Sequence, residues 1–396
     1  MPDFRAILKP GKDKPVRFGH PWVFSGAIAR IEGEPPNGAV VDVVNAQGEF
    51  LARGLLNRRS QLALRLFTWD AGETFDRDFL RRRLARAAVW RARAVAADTS
   101  AYRVVFSEAD GLPGLVVDRY GDALVVQVST LGMQQRKADV VEALVELFRP
   151  TAIVERADHE MRDREGLTTT DGVLYGTPPE TVEMTEHGLR FLVDLQGGQK
   201  TGFYLDQREN RRRVAAWAEG ARVLNAFAYT GAFAVHAAWA GAREIVNIDT
   251  SAEALKVAQA HMSLNGFDRP QDQYIVGDVF QALRTLRNRG ETFDLIILDP
   301  PKFAHSAAQV DRATHGYKDI NLQALRLLRP EGILATFSCS GLISADLFQK
   351  IVFGAAVDAR REAQIVARLT QAPDHPVLLT FPESEYLKGL ICRVAG

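Results

Sequence analysis

The stretch ATFSCSGLIS, residues 335–344, holds Cys339, one of only two cysteines in 396 residues. A thiol set between two serines just before a glycine is either a small apolar filler at a strand end or a nucleophile. Three acids stand in comparable positions, each closing an apolar run: Asp249 in NIDTS, Asp278 in VGDV and Asp299 in DPPKF. Asp249 comes 18 residues after Gly231 of NAFAYTGAF. An acid at that distance can accept both hydroxyls of a ribose, while Gly231 would let backbone approach a ligand closely. The structural role open to Asp249 is the N-cap of a helix beginning at Ala252, a role that Ser251 fills equally well. Asp278 could accept from an adenine amino group. The proline pair of DPPKF stiffens a loop and leaves carbonyls facing the same crevice.

These residues need a scaffold, and the rhythm from residue 196 onward supplies one. ARVLNAF, EIVNID, QYIVG, FDLIILDPP and GILATFSCS read as strands. AFAVHAAWAG, SAEALKVAQAHMSLNG, VFQALRTLRNRG and INLQALRLLRPEG read as helices between them. Alternation with near-continuous apolar strands predicts a parallel, doubly wound α/β sheet. Ligands then bind at the carboxyl ends of the strands, where the four motifs fall. PVLLTF and YLKGLICRV read as two final strands.

Upstream, residues 1–72 read as a small β domain, with AVVDVV, FLARGLL and QLALRLF as strands and PPNG and NAQG as turns. Residues 73–98 hold a connecting helix in which Leu80, Leu84, Ala87, Arg91 and Ala94 keep helical spacing. Residues 99–195 pair strands around the helix RKADVVEALVELF as a small central α/β domain, and 196–396 form the doubly wound domain.

Composition bounds the function. The chain is 46% hydrophobic and 25% charged, with 49 basic and 49 acidic side chains. Residues 1–100 carry 17 Lys/Arg against 11 Asp/Glu, a local excess that suits a polyanion, though solvated faces explain it as well. No apolar run reaches the ~18 residues of a membrane span. A charged, proline-broken N-terminus and two unpaired cysteines predict a cytoplasmic protein. No metal site is expected: His159-Glu160 has no second histidine at zincin spacing, and no C-x-x-C occurs. GGQKTG (197–202) imitates a P-loop, but Asp194 and Gln199 stand where glycines would be needed.

Taken in order, the four strand-end motifs resemble those of class I S-adenosylmethionine-dependent methyltransferases. A dehydrogenase on a similar sheet is disfavoured because the G-x-G-x-x-G triplet is missing. The cofactor wall would draw on Asn225, Phe227, Tyr229, Thr230 and Gly231, then Asp249, Asp278 with Val279, and Asp299 with Pro300. The match extends further. HPWVFSGAI (20–28), KTGFYLDQR (200–208), NAFAYTGAF, DPPKF, GYKDIN (316–321), FSCSG and YLKG (386–389) resemble, in one order, the large-subunit ribosomal RNA (cytosine-5)-methyltransferase I family.

The resemblance implies an N-terminal PUA domain, a central α/β domain and a C-terminal Rossmann-like methyltransferase domain. It implies S-adenosyl-L-methionine as cofactor, large-subunit rRNA as partner, and Tyr204, Gln207 and Arg208 in the cofactor wall. It leaves a homodimer open. It also gives Cys339 a chemical reason. Carbon 5 of cytosine is a poor nucleophile until a thiolate adds to carbon 6. Where related uracil-5 enzymes carry a terminal glutamate, this chain has Lys388, so Asp299 and Glu383 are the candidate bases. Asp299 is preferred for its place in the crevice, although it could simply fix the DPP loop. Lys302, His20 and Trp22 are candidate RNA contacts. Trp22 could equally be core, and Cys392 is expected to be core filler. The competing readings are N-methylation of an rRNA guanine, which needs no nucleophile, and an RNA-binding assembly factor without turnover.

Overall fold

The computed structural model describes residues 4–156, 165–167, 171–195 and 201–395. The chain divides into two compact units. The first comprises the chain up to Gly188, with Val193–Leu205 and Pro373–Ser384. The second takes Leu189–Leu192, Asp206–Ala372 and the stretch from Glu385 onward.

The first unit opens with a six-stranded sheet: β1 (Arg5–Leu8), β2 (Trp22–Val23), β3 (Ile28–Glu32), β4 (Val40–Val44), β5 (Phe50–Leu56) and β6 (Leu64–Thr68), in the order β2-β6-β5-β4-β1-β3. Alternating apolar residues from these strands, among them Ala6, Leu8, Val41, Val43, Ala52, Leu64 and Leu66, make its core. The helix Arg77–Ala94 is capped by Asp76, whose carboxylate accepts from the amide of Phe79. It buries Phe79, Leu80, Leu84 and Ala87. A second sheet follows: β7 (Ala101–Phe106), β8 (Leu115–Tyr120), β9 (Ala123–Val128), β10 (Ala152–Glu155) and β11 (Gly172–Gly176), in the order β11-β10-β9-β8-β7. β7, β8 and β9 form an antiparallel meander. β10 joins β9 in parallel after the helix Lys137–Phe148. β12 (Thr181–Glu186) and β13 (Leu189–Asp194) form a two-stranded ribbon.

The second unit is built on seven strands: β14 (Arg222–Ala226), β15 (Glu244–Asp249), β16 (Gln273–Val276), β17 (Phe293–Leu298), β18 (Leu328–Ser338), β19 (Ala363–Thr370) and β20 (Lys388–Val394). The order is β16-β15-β14-β17-β18-β20-β19. β14 to β18 run parallel, and β20 lies antiparallel between β18 and β19. Strands buried on both faces read as continuous apolar runs, as in Leu295–Leu298. The chain winds outward from β14 to β16 and then jumps back to β17, so the switch point lies between β14 and β17, where such sheets bind ligands. Register aligns Ala226 with Ile248 and with Leu298, and Leu298 with Thr336. The ends of four strands therefore open at one level.

Two expectations fail. The helix that includes INLQALRL spans Val310–Leu327 and stops there; RPEG belongs to β18 instead. Pro330 cannot donate into a helix, and Glu331 takes a positive φ of 65° as the chain turns. PVLLTF forms no strand. Pro376 and Pro382 bracket it, and the amide of Phe381 donates to Leu378 O, closing a turn. The sheet's last place is taken by β19, a segment not anticipated as a strand.

Candidate active site

The first turn of the crevice is backbone held under strain. After β14, Phe227 and Tyr229 adopt positive φ of 60° and 46°, and Gly231 follows at 74°. A left-handed conformation costs a residue with a Cβ about 1–2 kcal/mol, so neighbours must hold it. They do. Asp249 accepts from the Tyr229 amide at 2.8 Å and the Ser251 amide at 2.9 Å, one to each carboxylate oxygen. Ile248 O accepts from the Ala228 amide. His261, fully buried, places Nδ1 2.8 Å from Thr230 O and Nε2 3.0 Å from the Leu192 amide. Nε2 lies equally close, 3.0 Å, to Leu192 O, and burial pushes the pKa of the ring down, favouring its neutral form. Gly231 also answers a packing demand: a Cβ there would lie 2.6 Å from Cβ of Ala258 on the helix Ala252–Leu264.

The acids separate by role. Ser251, not Asp249, caps the helix Ala252–Leu264, accepting from the Ala254 amide. Asp249 is thus left at the end of β15, half-buried, with lone pairs beyond those its two amide contacts use. Asp278 caps the helix Val279–Asn288 through the Gln281 amide at 3.0 Å, a role the sequence reading did not give it. Its side chain is exposed, while Val279 is buried. Asn225, buried, donates to Asn247 Oδ1 at 3.0 Å. The Thr230 hydroxyl is buried with no hydrogen-bond partner among the described residues. A crevice with an unmatched hydroxyl, a carboxylate with spare lone pairs and a ring of half-buried aromatics fits a nucleoside-bearing cofactor.

The DPPKF loop and the FSCSG strand end meet. The Gln207 side-chain amide donates to Asp299 at 2.9 Å, and Gln207 is itself fixed by Asn210, which also donates to Thr370 O. Arg208 is buried and paired with Glu209 at 3.1 Å. Cys339 is half-buried, with Sγ 4.0 Å from Pro300 O. Its flanking serines point inward. The Ser338 hydroxyl donates to the Tyr317 hydroxyl at 3.0 Å, which lies 3.2 Å from the Ser340 hydroxyl. Phe303 of the loop packs on the Tyr317 ring with centroids 4.6 Å apart. Lys388, at the start of β20, donates from Nζ to Ser340 O and Ile343 O, each at 2.7 Å. Cys392, by contrast, is buried in β20, and burial pushes its thiol up to about 11.

Lys302 is exposed on the DPPKF loop. Tyr204 belongs to the first unit. So do His20 and Trp22: the indole N–H donates to Glu108 at 2.9 Å, and both rings pack against Phe381. His20 also meets Glu383 at 3.3 Å. His159, Glu160 and Lys200 lie outside the described residues. Among the described residues no group of three or more His, Cys, Asp or Glu side chains could hold a metal, and no helix is long and apolar enough to cross a membrane. The sequence reading missed Asn210, His261, Tyr317 and the position of Lys388. One signal was visible for the last, a lysine opening an otherwise apolar terminal strand.

Comparison with known proteins agrees with this architecture. Residues 156–392 match the model of the S-adenosylmethionine-dependent methyltransferases, and residues 6–69 match that of the PUA-like domain. Ribosomal RNA large subunit methyltransferase I of Klebsiella pneumoniae (strain 342) is 46% identical over 392 residues, covering 98% of both chains. The protein of that name from Escherichia coli O139:H28 is also 46% identical, over 98% of this chain and 99% of its own. The crystal structure of SMU.776 complexed with SAH shares the fold, with a TM-score of 0.86 at 23% identity, covering 98% of this chain and 99% of that one. The match to both family models, and the 46% identity over nearly the whole of both chains, place this chain in the ribosomal RNA large subunit methyltransferase I family of S-adenosylmethionine-dependent methyltransferases, with an N-terminal PUA-like domain and a C-terminal Rossmann-like domain.

Proposed function

We propose that this protein methylates carbon 5 of a cytosine in large-subunit ribosomal RNA, in the cytoplasm, with Cys339 as nucleophile. One observation carries the reading: Cys339 stands half-buried at the end of β18, beside Pro300 of the DPP loop, while both flanking serines are turned away to Tyr317. In our reading the cofactor is held by Tyr204, Gln207, Arg208, Asn225, Phe227, Tyr229, Thr230, Gly231, Asp249, Asp278, Val279, Asp299 and Pro300. S-adenosylmethionine supplies, when bound, a methyl group on a sulfonium. The Cys339 thiolate adds to carbon 6 of the base and makes carbon 5 nucleophilic. Asp299, oriented by Gln207, takes the proton that carbon 5 must lose, and departure of the thiolate restores the ring double bond. We assign Lys302, His20 and Trp22 to the RNA, and we divide the chain functionally at 1–72, 73–98, 99–195 and 196–396. A homodimer is compatible with this reading.

The test uses labelled S-adenosylmethionine and rRNA from cells lacking the enzyme, with wild type and Cys339→Ala compared and the labelled nucleoside identified. 5-Methylcytosine from wild type alone supports the reading. A methylated guanine, or full activity in the variant, replaces it with direct attack by nitrogen. RNA binding without any turnover replaces it with an assembly role.

A further inference from the structure

We infer that Lys388 is a positioning residue for Cys339: its buried ammonium clamps the turn that carries the thiol and supplies the positive charge that stabilises the thiolate. The inference rests on the reading of Cys339 as nucleophile. The geometry has three parts. First, β20 pairs with β18 so that Lys388 faces Ser338, one residue before Cys339. Second, the ammonium donates to Ser340 O and Ile343 O, both at 2.7 Å, and the Ile343 amide closes the same turn onto Ser340 O. With Tyr317 holding the serine hydroxyls from the other side, residues 338–343 are gripped at both backbone and side chain. Third, Lys388 is only 8% exposed and makes no ion pair among the described residues.

A buried ammonium facing only carbonyl dipoles lacks a counter-charge, and such a group is costly. Burial indeed pushes Lys388 down to about 8. The groups whose charge bears on it are Cys339 and Glu385, both of which favour the ammonium, and Tyr317 also senses Cys339. Glu385 is exposed, so water screens it. The thiolate is the counter-charge within the fold. A free thiol near its ordinary ~8.5 is mostly protonated at neutral pH, and a neighbouring lysine is a recognised cause of a lower value.

The experiment is alkylation of Cys339 by iodoacetamide in the full chain, without RNA, followed by peptide mass spectrometry over a pH series. Cys392, buried and shifted upward, is the internal control. Wild-type Cys339 is expected to titrate below ~8.5. Lys388→Gln keeps a donor for the turn but removes the charge. It should move the midpoint up by about one unit and slow alkylation at neutral pH by roughly tenfold. Lys388→Arg should restore most of the rate. Coincident wild-type and Lys388→Gln profiles overturn the inference. Should Lys388→Gln fail to fold, the wild-type midpoint decides, and a value at or above ~8.5 overturns the inference. If Cys339→Ala abolishes methyl transfer while the profiles coincide, the nucleophile reading stands and only the role of Lys388 falls. If Cys339→Ala is fully active, the nucleophile reading itself falls.

Discussion

Tyr317→Phe removes a single oxygen from the centre of the Cys339 support. In the wild type that oxygen accepts from Ser338 at 3.0 Å and lies 3.2 Å from the Ser340 hydroxyl, and both serines are fully buried. Burial pushes the Tyr317 phenol upward, so it stays protonated at any working pH. Without it, each serine keeps only a long contact: Ser338 Oγ with the Ser340 amide at 3.4 Å, and Ser340 Oγ with the Ala304 amide at 3.4 Å. An orphaned buried hydroxyl costs about 1–3 kcal/mol, and partial rescue by the long contacts brings the expected loss to about 2 kcal/mol. For a unit of this size that is a fall of roughly 4–8 °C in the midpoint of its thermal transition. Calorimetry of the full chain measures it, with hydrogen exchange along β18 locating the loss. A cycle with Ser338→Ala sharpens the test, because removing the orphaned hydroxyl should recover about 1 kcal/mol of the damage. Strict additivity of the two variants, or a Tyr317→Phe chain within ~0.5 kcal/mol of wild type, would refute the bracing role.

Two other perturbations separate the parts of the crevice. Gly231→Ala forces a Cβ into a left-handed position and to 2.6 Å from Ala258; S-adenosylmethionine affinity should fall at least about tenfold by calorimetry, and an unchanged affinity would show the turn to be adaptable. His261 has a folded pKa below its ordinary ~6.5, so the unfolded chain takes up the proton more readily. Its contribution is therefore complete above ~6.5 and lost as pH falls, by up to about 1.4 kcal/mol per pH unit. Urea midpoints measured from neutral to mildly acidic pH should decline more steeply for wild type than for His261→Gln, and equal slopes would contradict the assignment.

Period and punctuation made most of the second unit readable. EIVNID, as written, is β15, and the strands at 222–226, 273–276 and 293–298 differ from expectation only at their ends. What stayed hidden was long-range partnership. Arg91 sits in the apolar register of its helix, and nothing nearby in sequence announces that Asp110 meets its guanidinium at 2.6 and 2.7 Å. Asn210, three residues past Gln207, becomes part of the site only because the fold brings Gln207 to Asp299. Tyr317 lay inside a recognised motif, yet its work depends on β18 arriving beside the helix. Glu383 is a candidate base through its nearness in sequence to Lys388, where related uracil-5 enzymes carry a glutamate; its place beside His20 in the first unit depends on a chain path that periodicity does not encode.

That path has a consequence for assembly. After β19 the chain gives residues 373–384 to the first unit before Glu385 returns it to the second. β20 then enters between β18 and β19, an interior place filled by the last strand in sequence order. Until residues 388–394 are seated, β18 presents an open edge and the turn at 340–343 has no ammonium to hold it. The strand that closes the sheet is therefore also the latch on the cysteine, and a chain cut short of it carries the thiol on an unfastened corner.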